Sequence, residues 1–378
     1  MKITRKLLAL ALIPILMLTA FAGCAKPAAP AEPAEAAATE APAAEPATEA
    51  ATEPATEAAA ADTIDPASYD GLLAWYYPLP HPFGEACKAG IDQYVKDTGI
   101  NVNVMIGPEF TMSSELENVE ALAAQGYKHF GVFSVDAAAT DGMYEELIAK
   151  GCTFVNLGWN SGEDTPASFL IATNIYNSAV IEMETLAKLM NYKGGIMVAY
   201  ESVKDSAIQE RRRAVEDVMA KYPDMSIVCE TFDVETVQAA SMKIEDALNA
   251  NAGKINGIIS LGFTCTQALV SSLGDYYGRG GEKIYCVGID TDDLILQGLE
   301  QGTLDATVAQ NAFGIGYISG EVLRLQADGY VPREGQYHID SGIVMVTKDN
   351  MNNYSVDLEK VTKDILATLT TVYMEKAN

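Results

Sequence analysis

Histidine is scarce in this chain: 378 residues hold three, His81, His129 and His338, far apart. That spread argues against a histidine-built metal site. Paired cysteine chemistry is missing too. Besides Cys24 there are Cys87, Cys152, Cys229, Cys265 and Cys286, an odd set with no C-x-x-C pair. Cys152, Cys229 and Cys286 lie in or beside apolar runs and read as small buried hydrophobes, not as a disulfide framework. Basic residues number 25 against 52 acidic ones, a net charge of −27. Nine of the acids and four of the bases fall in residues 1–65, so the excess belongs to the remainder. Such a surface repels nucleic acid and anionic lipid. The one basic run, Arg211 to Arg213, falls on an expected helix and points three ways around it, as solvated surface with one inward contact. Also absent are G-x-S-x-G, a P-loop, H-E-x-x-H and a dinucleotide fingerprint after a strand. No nucleophile–base pair offers itself. No enzyme activity, catalytic residue, metal or cofactor is therefore expected.

What is present begins with export. Lys2, Arg5 and Lys6 precede an apolar run from Leu7 to Phe21, too short for a comfortable membrane span. The run ends in Ala22-Gly23-Cys24, which resembles a bacterial lipoprotein signal. The resemblance implies cleavage before Cys24 and lipid on its sulfur and new N-terminus, a stable membrane anchor. Residues 1–23 are then a signal peptide. From Ala25 to Asp62 the chain is almost entirely Ala, Glu, Pro and Thr. It has nothing to bury against the entropy of ordering, so 24–65 reads as a disordered tether behind the lipidated cysteine.

From Leu72 a β-rich run alternates with an amphipathic stretch. Strands are expected at Leu72–Tyr77, Ile100–Ile106, His129–Val135 and Cys152–Leu157, with helices near 84–97, 113–125 and 139–150. After a polar break at 159–167 and a short connecting strand at 171–173, the pattern begins anew. Strands at 195–200, 225–232, 255–261 and 283–289 separate helices at 175–192, 205–221, 235–250 and 264–276. The fold class is α/β: two doubly wound, Rossmann-like lobes in series with a cleft between them. Gly314, Gly316 and Gly320 sit along an expected helix at 314–324, where close helix packing explains them. A terminal helix is expected at 357–374.

The first strand ends in Tyr76-Tyr77-Pro78-Leu79-Pro80-His81-Pro82-Phe83-Gly84. In an open α/β sheet that turn lies where ligands are held. It is rich in rings and has no acid–base pair, so it suits binding; the alternative is a turn whose aromatics are core.

Four stretches carry a family resemblance. They are Leu79-Pro80-His81-Pro82-Phe83, Ser206-Ala207-Ile208-Gln209-Glu210-Arg211, Val287-Gly288-Ile289-Asp290 and Leu304-Asp305-Ala306-Thr307-Val308-Ala309-Gln310. In this order, over about 70–348, they resemble the type I periplasmic sugar-binding proteins of ABC importers, the ribose-binding group in particular. The resemblance implies three crossovers near 173–174, 310–312 and 339–342. It implies an N-terminal lobe of 66–173 plus 312–340 and a C-terminal lobe of 174–311 plus 341–378. It also implies that Phe83 stacks on the ligand, that Asp290 accepts from hydroxyls, that Gln310 bonds at the hinge, and that His81 stands at a family asparagine. Arg211 matches a family arginine on its helix. Three positions depart from the pattern. Gly158-Trp159 and then Asn160 replace an Asp-Arg pair, Gln209 replaces a ligand arginine, and Gly262-Phe263-Thr264 replaces a polar loop. Trp159, Phe263 and Tyr76 or Tyr77 then read as cleft walls or as packing within the lobes. As walls they favour a more apolar or larger ligand than ribose. Asp136 reads equally as a cleft-rim acid and as a helix cap.

The expected function is a monomeric, lipid-anchored binding protein on the extracytoplasmic face of the cell membrane. It would capture a carbohydrate-like solute and deliver it to an ABC permease. The alternative is a receptor of the same fold reporting to a sensor kinase or chemoreceptor. A transcription regulator of this fold is disfavoured by the export signal and by the lack of a basic N-terminal DNA-binding domain.

Overall fold

The structure, a computed structural model, describes residues 64–158, 164–234 and 236–377. The expected signal segment, Cys24, nearly all of the tether, and Trp159 lie outside them.

β1 (Leu73–Tyr77) is buried at every position, as a strand covered on both faces by helices requires. It feeds α1 (Pro82–Thr98), which closes on Gly99 at φ 74°. β2 (Asn103–Ile106), α2 (Met112–Ala124), β3 (His129–Val132), α3 (Ala137–Ile148), β4 (Thr153–Leu157) and β5 (Phe169–Ala172) complete the first series. The second series runs α4 (Ile175–Leu189), β6 (Gly194–Ala199), α5 (Ser206–Met219), β7 (Met225–Thr231) and α6 (Val237–Ala250). It continues through β8 (Ile255–Ser260), α7 (Phe263–Gly278), β9 (Tyr285–Ile289), α8 (Asp293–Gln301) and β10 (Ala306–Gln310). The remainder is α9 (Ala312–Ala327), β11 (Tyr330–Pro332), β12 (His338–Asp340), β13 (Ile343–Thr347), α10 (Tyr354–Leu366) and β14 (Met374–Lys376). Most helices start where an Asp, Asn or Thr side chain accepts an otherwise orphaned N–H, as Thr111, Asn174, Asp205 and Asp292 do.

The strands form two six-stranded sheets, ordered β12-β5-β4-β3-β1-β2 and β13-β10-β9-β8-β6-β7. Each is a 2-1-3-4-5 doubly wound sheet with one further strand, so the expected fold of two Rossmann-like lobes is what forms. All pairings within the two sheets are parallel except β10 with β13. β5 is a full sheet member between β4 and β12, not the short connector expected.

The chain passes between the lobes after β5, after β10 and between β12 and β13, a three-crossover hinge. Side chains tie these passages together. Asp340 Oδ1 accepts from the backbone N–H of Asn174 and of Gly342, both at 2.9 Å. Asn311 is fully buried and donates to Ser341 O at 2.8 Å and to Thr362 Oγ1 at 2.9 Å.

The C-terminal tail differs from the assignment of 341–378 to the second lobe. Tyr354 and Leu358 pack on that lobe's core, but Ile365, Leu369 and Met374 belong to the core of the first. Burying Leu369 and Met374 there draws the chain back, and β14 pairs antiparallel with β11. The expected helix to residue 374 therefore stops at Leu366.

Candidate ligand-binding cleft

In a 2-1-3-4-5 sheet the ligand crevice opens at the carboxyl ends of the strands, where successive connections diverge. Those points lie between β1 and β3 in the first lobe and between β6 and β8 in the second.

On the first lobe the switch point is aromatic. Phe83, the second residue of α1, is half-buried. Its ring meets Phe133, just past β3, edge-on at 6.4 Å between centroids and 83° between planes. Phe133 in turn rests on Tyr77 at 4.6 Å and Trp75 at 5.4 Å. Gly158, at φ 81°, completes the arrangement: a Cβ there would stand 2.1 Å from Phe133 Cε1. Tyr77 is 2 % exposed and Tyr76 fully buried, so neither forms the cleft wall that was one reading of them. Tyr77 supports Phe133 from below, and burial pushes its hydroxyl up to about 12. His81 is exposed and caps α1, its Nδ1 accepting from Phe83 N–H at 3.2 Å. Asp136 is likewise exposed and caps α3, accepting from Ala139 N–H at 3.1 Å.

On the second lobe the strand ends are polar. Asp290 follows β9 at φ 66°, a left-handed conformation that costs a non-glycine residue about 1 kcal/mol or more. Gln310, the last residue of β10, donates Nε2–H to Asp290 Oδ1 at 2.7 Å. The two were expected at one site, and the fold brings them together beside the hinge. Burial raises the Asp290 carboxyl above its ordinary range; the Gln310 amide and the Arg211 charge oppose this, and Glu201 adds to it. Glu201 follows β6 and accepts from Thr264 N–H at 2.5 Å. It caps α7, whose N-cap residue, Gly262, has no side chain to do so. Phe263, beside it, is 38 % exposed. Gln209 is exposed and donates its amide to Val203 O, holding the loop before α5.

Phe133 and Glu201 were not singled out from sequence. Phe133 directly follows β3 and Glu201 lies two residues past β6, at the strand ends where Asp290 also stands. The Arg211–Arg213 run behaves as expected, with Arg211 buried, Arg212 paired to Glu230 at 3.0 Å and Arg213 over the Tyr176 ring at 4.3 Å. Among the described residues no cluster of His, Cys, Asp and Glu is arranged to hold a metal.

Two doubly wound lobes, a three-strand hinge, rings on one lobe and hydrogen-bonding groups on the other define a two-lobed solute-binding protein. The chain belongs to the periplasmic binding protein family: the profile described as periplasmic binding protein domain matches residues 76–330. It is 26 % identical over 275 residues to a xylitol-binding protein of Mycolicibacterium smegmatis, spanning 70 % of this chain and 74 % of that one. To a putative rhizopine-binding protein of Rhizobium meliloti it is 25 % identical over 249 residues, 62 % and 77 % of the two chains. Among solved structures it is similar to an arabinose-binding protein of Geobacillus stearothermophilus, with a TM-score of 0.65 and 19 % identity over 75 % and 98 % of the chains. A Bacillus halodurans solute-binding protein with bound myo-inositol gives 0.61 and 17 % over 75 % and 97 %. These structural likenesses establish the type I fold.

Proposed function

We propose that this chain is the solute-capturing component of an ABC importer, taking a polyol or sugar into the interlobe cleft and presenting it to a membrane permease. The observation that supports the reading is a ring pair at the switch point of one lobe and a hydrogen-bonded polar pair at the strand ends of the other. A ring face, Phe83 backed by Phe133, contacts C–H surface without asking for hydrogen bonds. On the other lobe, the hydrogen-bonded Asp290 and Gln310 would accept from and donate to hydroxyls. The relatives named as a xylitol-binding and a putative rhizopine-binding protein, and the neighbours named as an arabinose-binding protein and as holding myo-inositol, support that class. Closure about the hinge would expel water and create the form a permease recognises.

A ligand that binds only the folded protein raises its melting temperature. A thermal-shift screen against pentoses, pentitols, inositols and nucleosides should return a hit from the polyol or sugar set. Phe83→Ala should weaken that hit about tenfold, the loss of about 1.4 kcal/mol of ring contact. A well-folded sample that is silent across the panel overturns the ligand class.

The anchor belongs to the same proposal: Cys24 carries the lipid, and the tether holds the lobes off the extracytoplasmic face. Cells fed radiolabelled palmitate should incorporate it into the wild type and not into Cys24→Ser, which should leave the membrane fraction. Equal labelling of both would place the lipid elsewhere.

A further inference from the structure

The switch point of the second lobe lies between β6 and β8, and a carboxylate stands on it. Glu201, two residues past β6, reaches across to the helix that follows β8. Its Oε1 accepts from Thr264 N–H, the second residue of α7, at 2.5 Å. Gly262 leaves room for this, since a Cβ there would stand 2.7 Å from Glu201 Cδ and 3.0 Å from Oε2. Oε2 itself makes no hydrogen bond among the described residues, and the side chain is half-buried. The same first turn of α7 is tied to the other neighbour of β8. Thr266 Oγ1 accepts from Ile289 N–H at 3.1 Å, and Asp290 is the next residue. Glu201 and Asp290 therefore flank the start of α7, on strands two spacings, about 10 Å, apart. A polyol has hydroxyls along its whole length and can reach both acceptors.

The surrounding helix ends carry the argument further. A helix N-terminus at a strand end is a ready site for an anion. Here the chain's own carboxylates occupy three of them. Asp205 caps α5 from Ala207 N–H at 2.8 Å, Asp292 caps α8 from Ile295 N–H at 2.7 Å, and Glu201 caps α7. α6, behind the edge strand β7, is capped by Thr236 instead. The four loops that lead from β6, β7, β8 and β9 into these helices hold six acids, Glu201, Asp205, Asp233, Glu235, Asp290 and Asp292. Their one cation is Lys204, which is exposed. An acidic ligand would meet occupied helix ends and like charge. We propose that Glu201 contacts the ligand and sets its charge class: α7 holds Oε1, Oε2 accepts a hydroxyl, and with Asp290 it admits uncharged polyhydroxyl ligands while rejecting acidic ones of similar shape. The inference rests on the reading of the cleft as a polyol or sugar site and narrows it.

Calorimetry at neutral pH tests it, with xylitol, myo-inositol and glucose each set against an acidic counterpart: xylonate, myo-inositol 1-phosphate and glucuronate. The wild type should bind a neutral member of a pair, and its acidic counterpart about a hundredfold more weakly or not at all. Glu201→Gln should bind the neutral member about tenfold more weakly, because an amide replaces the free carboxylate oxygen. Its preference over the acidic counterpart should shrink to about tenfold or less. Glutamine can still accept from Thr264 N–H, so the variant should melt with the wild type; a residue that only capped α7 would leave both affinity and preference where they were. An unmoved affinity or an unmoved preference in Glu201→Gln overturns the proposal. So does a wild type that binds the acidic member as tightly as the neutral one, and that comparison decides alone if the variant does not fold. A neutral ligand bound equally by wild type and variant sinks this inference and leaves the polyol reading standing. A wild type that binds none of the six sinks both.

Discussion

Asp290→Asn should weaken ligand binding about a hundredfold at neutral pH while leaving the protein folded. The substitution keeps the shape of the side chain, and asparagine tolerates the left-handed backbone found there at φ 66°. What changes is the chemistry of one atom. Gln310 donates to Oδ1, so the asparagine oxygen must take that position and its NH2 then faces the cleft. A donor replaces an ionised acceptor opposite the ligand's hydroxyls. A hydrogen bond to a charged group contributes about 1.5–3 kcal/mol, and about 2.8 kcal/mol corresponds to a hundredfold. Stability should move the other way. Burial raises the Asp290 carboxyl above its ordinary value, so its contribution to stability is greatest below the unfolded value and is lost as pH rises through the folded one. At neutral pH Asp290→Asn should therefore melt at or above the wild-type temperature, and the gap should close as pH falls below the ordinary carboxylate range. Calorimetric titration with the best binder of the polyol panel, together with melts across pH, measures both. Full affinity in the asparagine variant would remove Asp290 from the site. Lost affinity with a lowered melting temperature would mean that the carboxylate serves the fold.

Asp290 and Gln310 were legible through the family resemblance, and both stand where strands β9 and β10 end, at the open edge of a parallel sheet. The acids on helices were not. Glu115 looks like a favourable first-turn acid of α2. It is fully buried instead, accepting from Val135 N–H at 2.6 Å and Thr140 Oγ1 at 2.7 Å and fixing the loop after β3. Glu182 looks like the polar face of an amphipathic helix, but α4 is covered by both α5 and the sheet. Periodicity says which face of a helix is apolar; which further faces are covered is decided by neighbours distant in sequence. The same limit applies to α8. Its nine residues are too few for a clear repeat, yet Ile295 and Leu299 are buried within it. At the C-terminus a helical pattern ran past Leu366, but Leu369 and Met374 found a better burial site on the other lobe.

Gly316→Ala should be the most damaging single methyl in the molecule. A Cβ at Gly316 would stand 1.8 Å from the carbonyl oxygen of Cys87 and 3.0 Å from Ile91 N, both backbone atoms of α1. The contact is mutual: a Cβ at Gly90 on α1 would meet Phe313 O on α9 at 2.0 Å. No rotamer relieves a clash between a Cβ and a backbone carbonyl, so the helices must separate along their whole contact. That opens the core shared by Ile91, Tyr94, Ile315, Ile318 and Val322. Overpacking a core costs about 1–3 kcal/mol when side chains can adjust. Here they cannot, and a loss of about 3 kcal/mol or more is expected. Gly320 marks the contrast, because its nearest neighbour is the Tyr94 ring at 2.5 Å, a side chain that can move; Gly320→Ala should cost less. Gly142, inside α3 with open space around it, should gain about 0.5–1 kcal/mol on becoming alanine, through lower unfolded-state entropy alone. Urea unfolding of the three variants should therefore rank Gly142→Ala above the wild type, Gly320→Ala below it and Gly316→Ala lowest. A Gly316→Ala midpoint equal to the wild type's would mean that α1 and α9 do not approach backbone to backbone. The ligand site would feel the same change, since α1 carries Phe83 and α9 starts at Ala312, two residues after Gln310.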